Sequence, residues 1–191
     1  MSAARTRLLR TAAAIFYAEG IHGVGVDRIV AEAQVTRATF YRHFPGKEDL
    51  VVAYLEAADA QVRAGIAAAT GPAVSPGDAV RLLTEAIGDD LCRPGFRGCA
   101  FINAVAEYPD PDSVIHRAVL VHRAWLEATL VAVLADAGHP EPELAGRHVL
   151  MLRDGAVVAG YLGDATRARD AFLAGVGLVV RPVNPAGPAE R

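Results

Sequence analysis

Between Gly25 and Leu50 the chain reads GVDRIVAEAQVTRATFYRHFPGKEDL, and few folds accommodate that order of residues. Asp27–Ala33 has the spacing of a short amphipathic helix, Gln34 and Val35 leave room only for a tight turn, and Thr36 is suited to cap a second helix through its hydroxyl. On that second helix, Arg37–Phe44, Phe40 and Phe44 stand four residues apart and share a face. Together with Ile29 and Val35 they can anchor it to the first helix and to Ala12–Phe16. Pro45-Gly46 then ends it, because proline has no N–H to donate and disfavours helical geometry in the residue before it. Two short helices joined by a tight turn describe a helix-turn-helix unit, whose second helix is shaped to enter a DNA major groove.

The face opposite the two phenylalanines supports that reading. Arg37 can reach a guanine edge or a phosphate, and the small Ala38 lets the helix approach closely and meet a thymine methyl. Thr39 can bond a phosphate or a base, whereas Tyr41 and His43 carry polar tips suited to phosphate oxygens, which set register rather than sequence. The helix start at Thr36 favours an anion. Arg28, Thr36, Arg37, Ala38, Thr39, Tyr41, Arg42, His43 and Lys47 are therefore the candidate DNA contacts.

Charge is divided in the same sense. The 191-residue chain has a net charge of -3, so as a whole it is no electrostatic binder of nucleic acid. Residues 1–50, however, hold seven Arg and Lys against five acids, or +2, while the remainder holds 12 against 17, or -5. A basic head on an acidic body fits a head that meets phosphate and a body with another task. Lys47 is the only lysine.

Further along, helical periodicity dominates. Leu8, Leu9, Ala12, Ile15 and Phe16 predict a helix over Ala3–Glu19, stopped by Gly20. Later segments predict helices over Lys47 to about Ala69, Asp78–Leu91, about Cys99–Tyr108, Asp112–Ala137, Glu141–Gly163 and Ala165 to about Val180, separated by Gly- and Pro-rich breaks. The expected fold is all-α with about nine helices. Residues 1–46 would form the DNA-reading domain, 47–181 a domain for dimerisation and ligand binding, and 182–191 a flexible tail with Pro182, Pro185 and Pro188. With no secretory leader and no run of about 18 apolar residues, no membrane segment is expected, and the cytoplasm is the expected compartment.

Residues 3–50 resemble the N-terminal domain of the TetR family of bacterial transcriptional repressors. The resemblance lies in Asp27 through Leu50, above all in Thr36, Thr39–Tyr41, His43–Phe44 and Lys47. One departure stands out: Gly25 and Val26 occupy the place where the family often has Ser or Thr capping the first helix of the unit, so a phosphate contact from that cap is lost. The resemblance implies a homodimer that binds a palindromic operator on double-stranded DNA and releases it when a small ligand binds.

The C-terminal segments fit that implication. Small residues allow close helix approach at Ala156, Ala159, Gly160, Ala168 and Gly175, with Leu152 and Phe172 supplying apolar area. Two such helices per subunit can build a four-helix interface about a two-fold axis. A largely apolar pocket with a few polar fixtures is the usual form of a ligand site, and Phe101, Asn103, Tyr108, Trp125 and Met151 are its candidate lining, for an effector that is itself largely apolar. No metal or other cofactor is expected: His116 and His122 stand on different helix faces, and Cys92 and Cys99 complete no zinc spacing. Nor does any nucleophile–base set or phosphate-binding loop emerge, so no enzymatic activity is expected. The alternatives are an activator or ligand-independent regulator of the same type, or, in a different class, a helical small-molecule-binding protein or enzyme with an incidental helix-turn-helix.

Overall fold

The computed structural model describes residues 2–180, so the expected tail at 182–191 lies outside the described residues. Among these residues the secondary structure is all-α, in nine helices: α1 Ala3–Glu19, α2 Val26–Glu32, α3 Arg37–His43, α4 Lys47–Thr70, α5 Pro76–Leu91, α6 Ala100–Glu107, α7 Val114–Asp136, α8 Pro142–Leu162 and α9 Ala165–Val180.

Local chemistry sets several of the helix ends. The Ser2 hydroxyl accepts the Arg5 N–H at the start of α1, and Gly20 closes that helix at φ 87°, a left-handed geometry that costs glycine little. Ser75 caps α5 by accepting from the Asp78 N–H, and Pro76 sits in the first turn, where a missing N–H costs nothing. α2 has no side-chain cap at Gly25, in keeping with the departure seen in the sequence. The turn between α2 and α3 carries a strained residue the sequence does not advertise: Gln34 adopts φ 52°, a conformation more easily held by glycine.

Contacts divide the chain into two units. The first comprises residues 1–65 and 97–124, and thus α1–α3, most of α4, α6 and the first half of α7. In the head, α1, α2 and α3 pack on one another, around fully or nearly fully buried Leu8, Ala12, Ile29, Phe40 and Phe44.

Among the described residues the second unit comprises 66–96 and 125–180, in which α5, α8 and α9 pack together, with the long contact between α8 and α9 as its spine. Its core includes Leu83, Val149, Phe172 and Val176.

α7 is long and apolar enough, by length and composition, to cross a membrane, which the sequence reading did not expect. Ile115, Val119, His122, Leu126, Leu130 and Leu134 are buried at three- and four-residue spacing, so its apolar character also suits a helix with one face in a protein core.

Where α8 crosses α7, Gly146 leaves no room for a side chain. A Cβ there would lie 2.6 Å from Val131 Cγ2 and 3.2 Å from the Val131 backbone nitrogen. Alanine is worth about 1 kcal/mol over glycine in a helix interior. The clash outweighs that gain, because the backbone nitrogen cannot rotate away as a flexible side chain could. Gly146→Ala is expected to lower stability by about 1–2 kcal/mol net in urea unfolding; a stabilised variant would mean that the two helices can separate at this crossing without cost.

Candidate nucleic-acid interface

α3 is held from below and presented from above. Phe40 is fully buried and Phe44 nearly so, with ring centroids 5.9 Å apart. The Thr36 hydroxyl accepts the Thr39 N–H at 3.1 Å and lies 2.9 Å from the Thr39 hydroxyl, which fixes the first turn. With the base fixed, Thr36, Arg37, Ala38, Tyr41 and Arg42 are exposed, while Thr39, His43 and Lys47 are half-buried. Tyr41 is half exposed and stands edge-on to the Phe40 ring, 5.1 Å between centroids, so its hydroxyl is carried on a rigid support.

The cations differ in their commitments. Arg37 donates from Nε toward Asp27 Oδ1 at 3.2 Å, and both side chains are largely exposed, so this ion pair is weak and holds the guanidinium near α2 without sequestering it. Arg28 is engaged on two sides: Nη2 donates to Glu19 at 2.7 Å and Nε to Glu32 at 2.8 Å. These bonds, Glu19's first, raise its pKa further above the ordinary arginine range. In the free chain the Arg28 guanidinium therefore links α2 to the end of α1, and it remains partly exposed. Lys47 Nζ lies 3.4 Å from the His22 carbonyl. Burial pushes its pKa down, partly countered by the Glu107 carboxylate. Lys47 is thus a partly withdrawn ammonium at the edge of the α3 surface. His43 Nε2 lies 3.1 Å from the Ser2 hydroxyl, tying the end of α3 to the cap of α1.

The five expected ligand-lining residues have different surroundings. Phe101, Asn103 and Tyr108 belong to the first unit, Trp125 and Met151 to the second. Phe101 is buried and stacks flat on His122, with ring centroids 3.5 Å apart. Asn103 is exposed and its side-chain amide donates to the Arg97 carbonyl at 2.9 Å, which makes it a loop fastener. Tyr108 faces His22, 4.6 Å between ring centroids; burial, then the charges of Glu48 and Glu107, push its phenol pKa up. Trp125 is half-buried. Met151 is exposed, on a groove between α8 and α9.

Sequence reasoning missed the polar group beside Phe101. His122, 3% exposed, lies with Nδ1 2.7 Å from Asp59 Oδ1, while Arg63 Nε donates to Asp59 Oδ2 at 2.5 Å. Burial works against ionisation of Asp59, but the bonds from Arg63 and His122 prevail and hold its carboxyl below the usual range. The i,i+4 spacing of Asp59 and Arg63 was readable as a helix pair; nothing in the sequence ties either to His122. Among the described residues no cluster of three His, Cys, Asp or Glu side chains could hold a metal ion.

The groove between α8 and α9 has a volume of about 650 Å³ and gathers the expected dimer residues Leu152, Ala156, Ala159, Ala168, Phe172 and Gly175. Ala156, Ala168 and Phe172 are buried in the single chain, whereas Ala159 is exposed. Gly160 lies beside the groove's lining, where an added Cβ would meet Ala168 at 3.7 Å. Met151, Val158, Tyr161, Leu162 and Leu178 add large exposed apolar surface to the same two helices.

Comparison with known proteins agrees with this geometry. Residues 8–54 match the family model for bacterial regulatory proteins of the tetR family. The chain is 56% identical to SCO4454, a TetR-family transcriptional regulator from Streptomyces coelicolor, over 93% of this chain and 94% of that one, with a TM-score of 0.90. A TetR transcriptional regulator from Chloroflexus aurantiacus shares the fold at 22% identity, over 94% of this chain and 95% of that one, with a TM-score of 0.81. The transcriptional regulator AcuR of Cereibacter sphaeroides is 30% identical over 131 residues, which are 67% of this chain but only 60% of AcuR. A capped recognition helix on a three-helix head, an all-helical remainder and an extended match to a solved regulator lead to one assignment: the chain belongs to the TetR family of DNA-binding bacterial transcriptional regulators.

Proposed function

We propose that the protein acts in the cytoplasm as a homodimeric repressor that reads a palindromic operator through α3 and lets go when a small, largely apolar effector binds. The observation that carries this reading is the pairing of two surfaces: a rigidly seated polar face on α3 and an exposed apolar face on α8 and α9. A single recognition helix binds weakly, and a two-fold dimer presents two of them to half-sites about 34–36 Å apart or a multiple of that distance. Contiguous exposed apolar area is the kind of surface a soluble chain covers with a partner. Release requires the effector to bind one geometry of the dimer more tightly than the other.

Thr36, Arg37, Ala38, Thr39, Tyr41, Arg42, His43 and Lys47 are proposed to face the operator, with Arg37 and Ala38 at base edges and Tyr41, His43 and Lys47 at phosphates. The test is a titration of the DNA upstream of the protein's own gene, followed by selection from genomic fragments, comparing wild type with Tyr41→Ala plus Lys47→Ala. Wild type should bind with a steep salt dependence, because phosphate contacts release counterions. The double variant should lose more than about tenfold in affinity and show a shallower salt slope, by about 1 per lost phosphate contact. If neither experiment yields a sequence that wild type prefers, the regulator reading is wrong for this chain.

A further inference from the structure

A polar contact between distant parts of the first unit, built from several hydrogen bonds, lies away from the α3 surface. Glu107, the last residue of α6, directs its carboxylate at the loop between α1 and α2. Ile21 N–H donates to Oε1 at 2.8 Å and to Oε2 at 3.0 Å, and His22 N–H donates to Oε2 at 2.6 Å. The His22 ring nitrogen Nδ1 lies 3.8 Å from the same carboxylate. Gly20 completes the fit: with φ 87°, a Cβ there would come 3.2 Å from Glu107 Oε1. The other side of the loop is held by Lys47 at the start of α4, 3.4 Å from the His22 carbonyl.

This loop is placed to influence how α2 and α3 are seated. It lies between α1, on which both helices pack, and α2 itself, and it buries Ile21 and Val24. Backbone N–H groups in a connector need partners, and here two of them are supplied by a side chain 85 or 86 residues away. A carboxylate accepting backbone N–H bonds makes the stronger, charge-assisted kind of hydrogen bond. A shift of α6 that withdraws Glu107 would therefore free the loop and alter the pose of the DNA-reading helices.

We propose that Glu107 is a positioning residue for DNA reading, a latch through which the end of α6 sets the affinity of the head for its operator. The proposal rests on α3 being the DNA-reading surface. It makes a prediction opposite to simple electrostatics: removing a negative charge from a DNA-binding protein should tighten binding, whereas releasing the latch should weaken it.

The test uses the full chain and the duplex that wild type itself selects from a randomised library, with a scrambled duplex as reference. Glu107→Ala should weaken binding to the selected duplex by about tenfold, the effect of losing charge-assisted bonds that order the reading unit. Binding to the scrambled duplex should be unchanged or tighter. Glu107→Gln removes the same charge but keeps one carbonyl oxygen able to accept from the two N–H groups, so part of the lost affinity should return. Amide hydrogen exchange should quicken at Ile21 and His22 in the alanine variant and much less in the glutamine variant, which gives a readout even where DNA affinity is lost through poor folding. Equal affinities for wild type and both variants, or equal tightening in both, would overturn the latch while leaving DNA reading intact. Wild type that selects no duplex would overturn both.

Discussion

Met151→Glu combined with Leu178→Glu is expected to yield a folded monomer that has lost most of its affinity for DNA. Both side chains line the groove between α8 and α9, and they are 70% and 71% exposed in the single chain, so charging them removes little from its own core. Substitutions at such exposed positions usually alter stability by no more than about 0.5 kcal/mol. In the proposed dimer the same positions would be covered, and each subunit would bring two carboxylates into an apolar contact. Buried unpaired charge is among the costlier defects in an interface. Loss of the dimer separates the two recognition helices, so the gain from binding both half-sites at once disappears, a factor on the order of a hundredfold or more. Light scattering coupled to size exclusion, followed by titration of operator DNA, checks both parts. A variant that stays dimeric and binds like wild type would place the interface on another face.

Phe40→Ala is the second substitution with a large expected effect, on stability first. The Phe40 ring is fully buried between its neighbours Phe44 and Tyr41, in a head whose core also holds Leu8, Ala12 and Ile29. Truncating a buried phenylalanine costs roughly 3–5 kcal/mol, the transfer of the ring to water plus the cavity left behind. Since a domain has only about 5–15 kcal/mol to lose, that is a large share of the total. The cavity opens directly under α3, so the Tyr41 ring also loses the support that holds it edge-on. Urea unfolding followed by circular dichroism measures the loss, and amide exchange across α1–α3 shows where it falls. A cost below about 1 kcal/mol would mean that the head collapses around the gap, and that the aromatic pair is less central than its burial implies.

The two substitutions test surfaces that were legible to different degrees. Residues Asp27–Leu50 read directly as a helix-turn-helix because the signals there are local: a threonine that caps its own helix, two phenylalanines one turn apart, a proline that ends the segment. The structure bears out each of these in place. The small-residue pattern of the last two helices pointed to close packing, but not to which residues pack within the chain. Ala156, Ala168 and Phe172 line the groove yet are buried in the single chain, while Met151, which the sequence suggested for a ligand pocket, lies exposed on that same groove. Periodicity assigns a residue to a face of its helix and says nothing of what that face meets.

By itself, then, the sequence determined the all-α class, the approximate extent of each helix, the reading unit and its family. Capping, glycine and proline geometry and hydrophobic spacing act over a few residues, so they survive in a linear string. Only the tertiary structure decided the pairings: Arg28 with Glu19, Arg37 with Asp27, His122 with Asp59 and Phe101, and Glu107 with the N–H groups of Ile21 and His22. Most of these contacts join separate helices. Their geometry depends on how one helix is rotated and shifted against another, which is settled by the summed packing of many side chains rather than by the residues that finally touch.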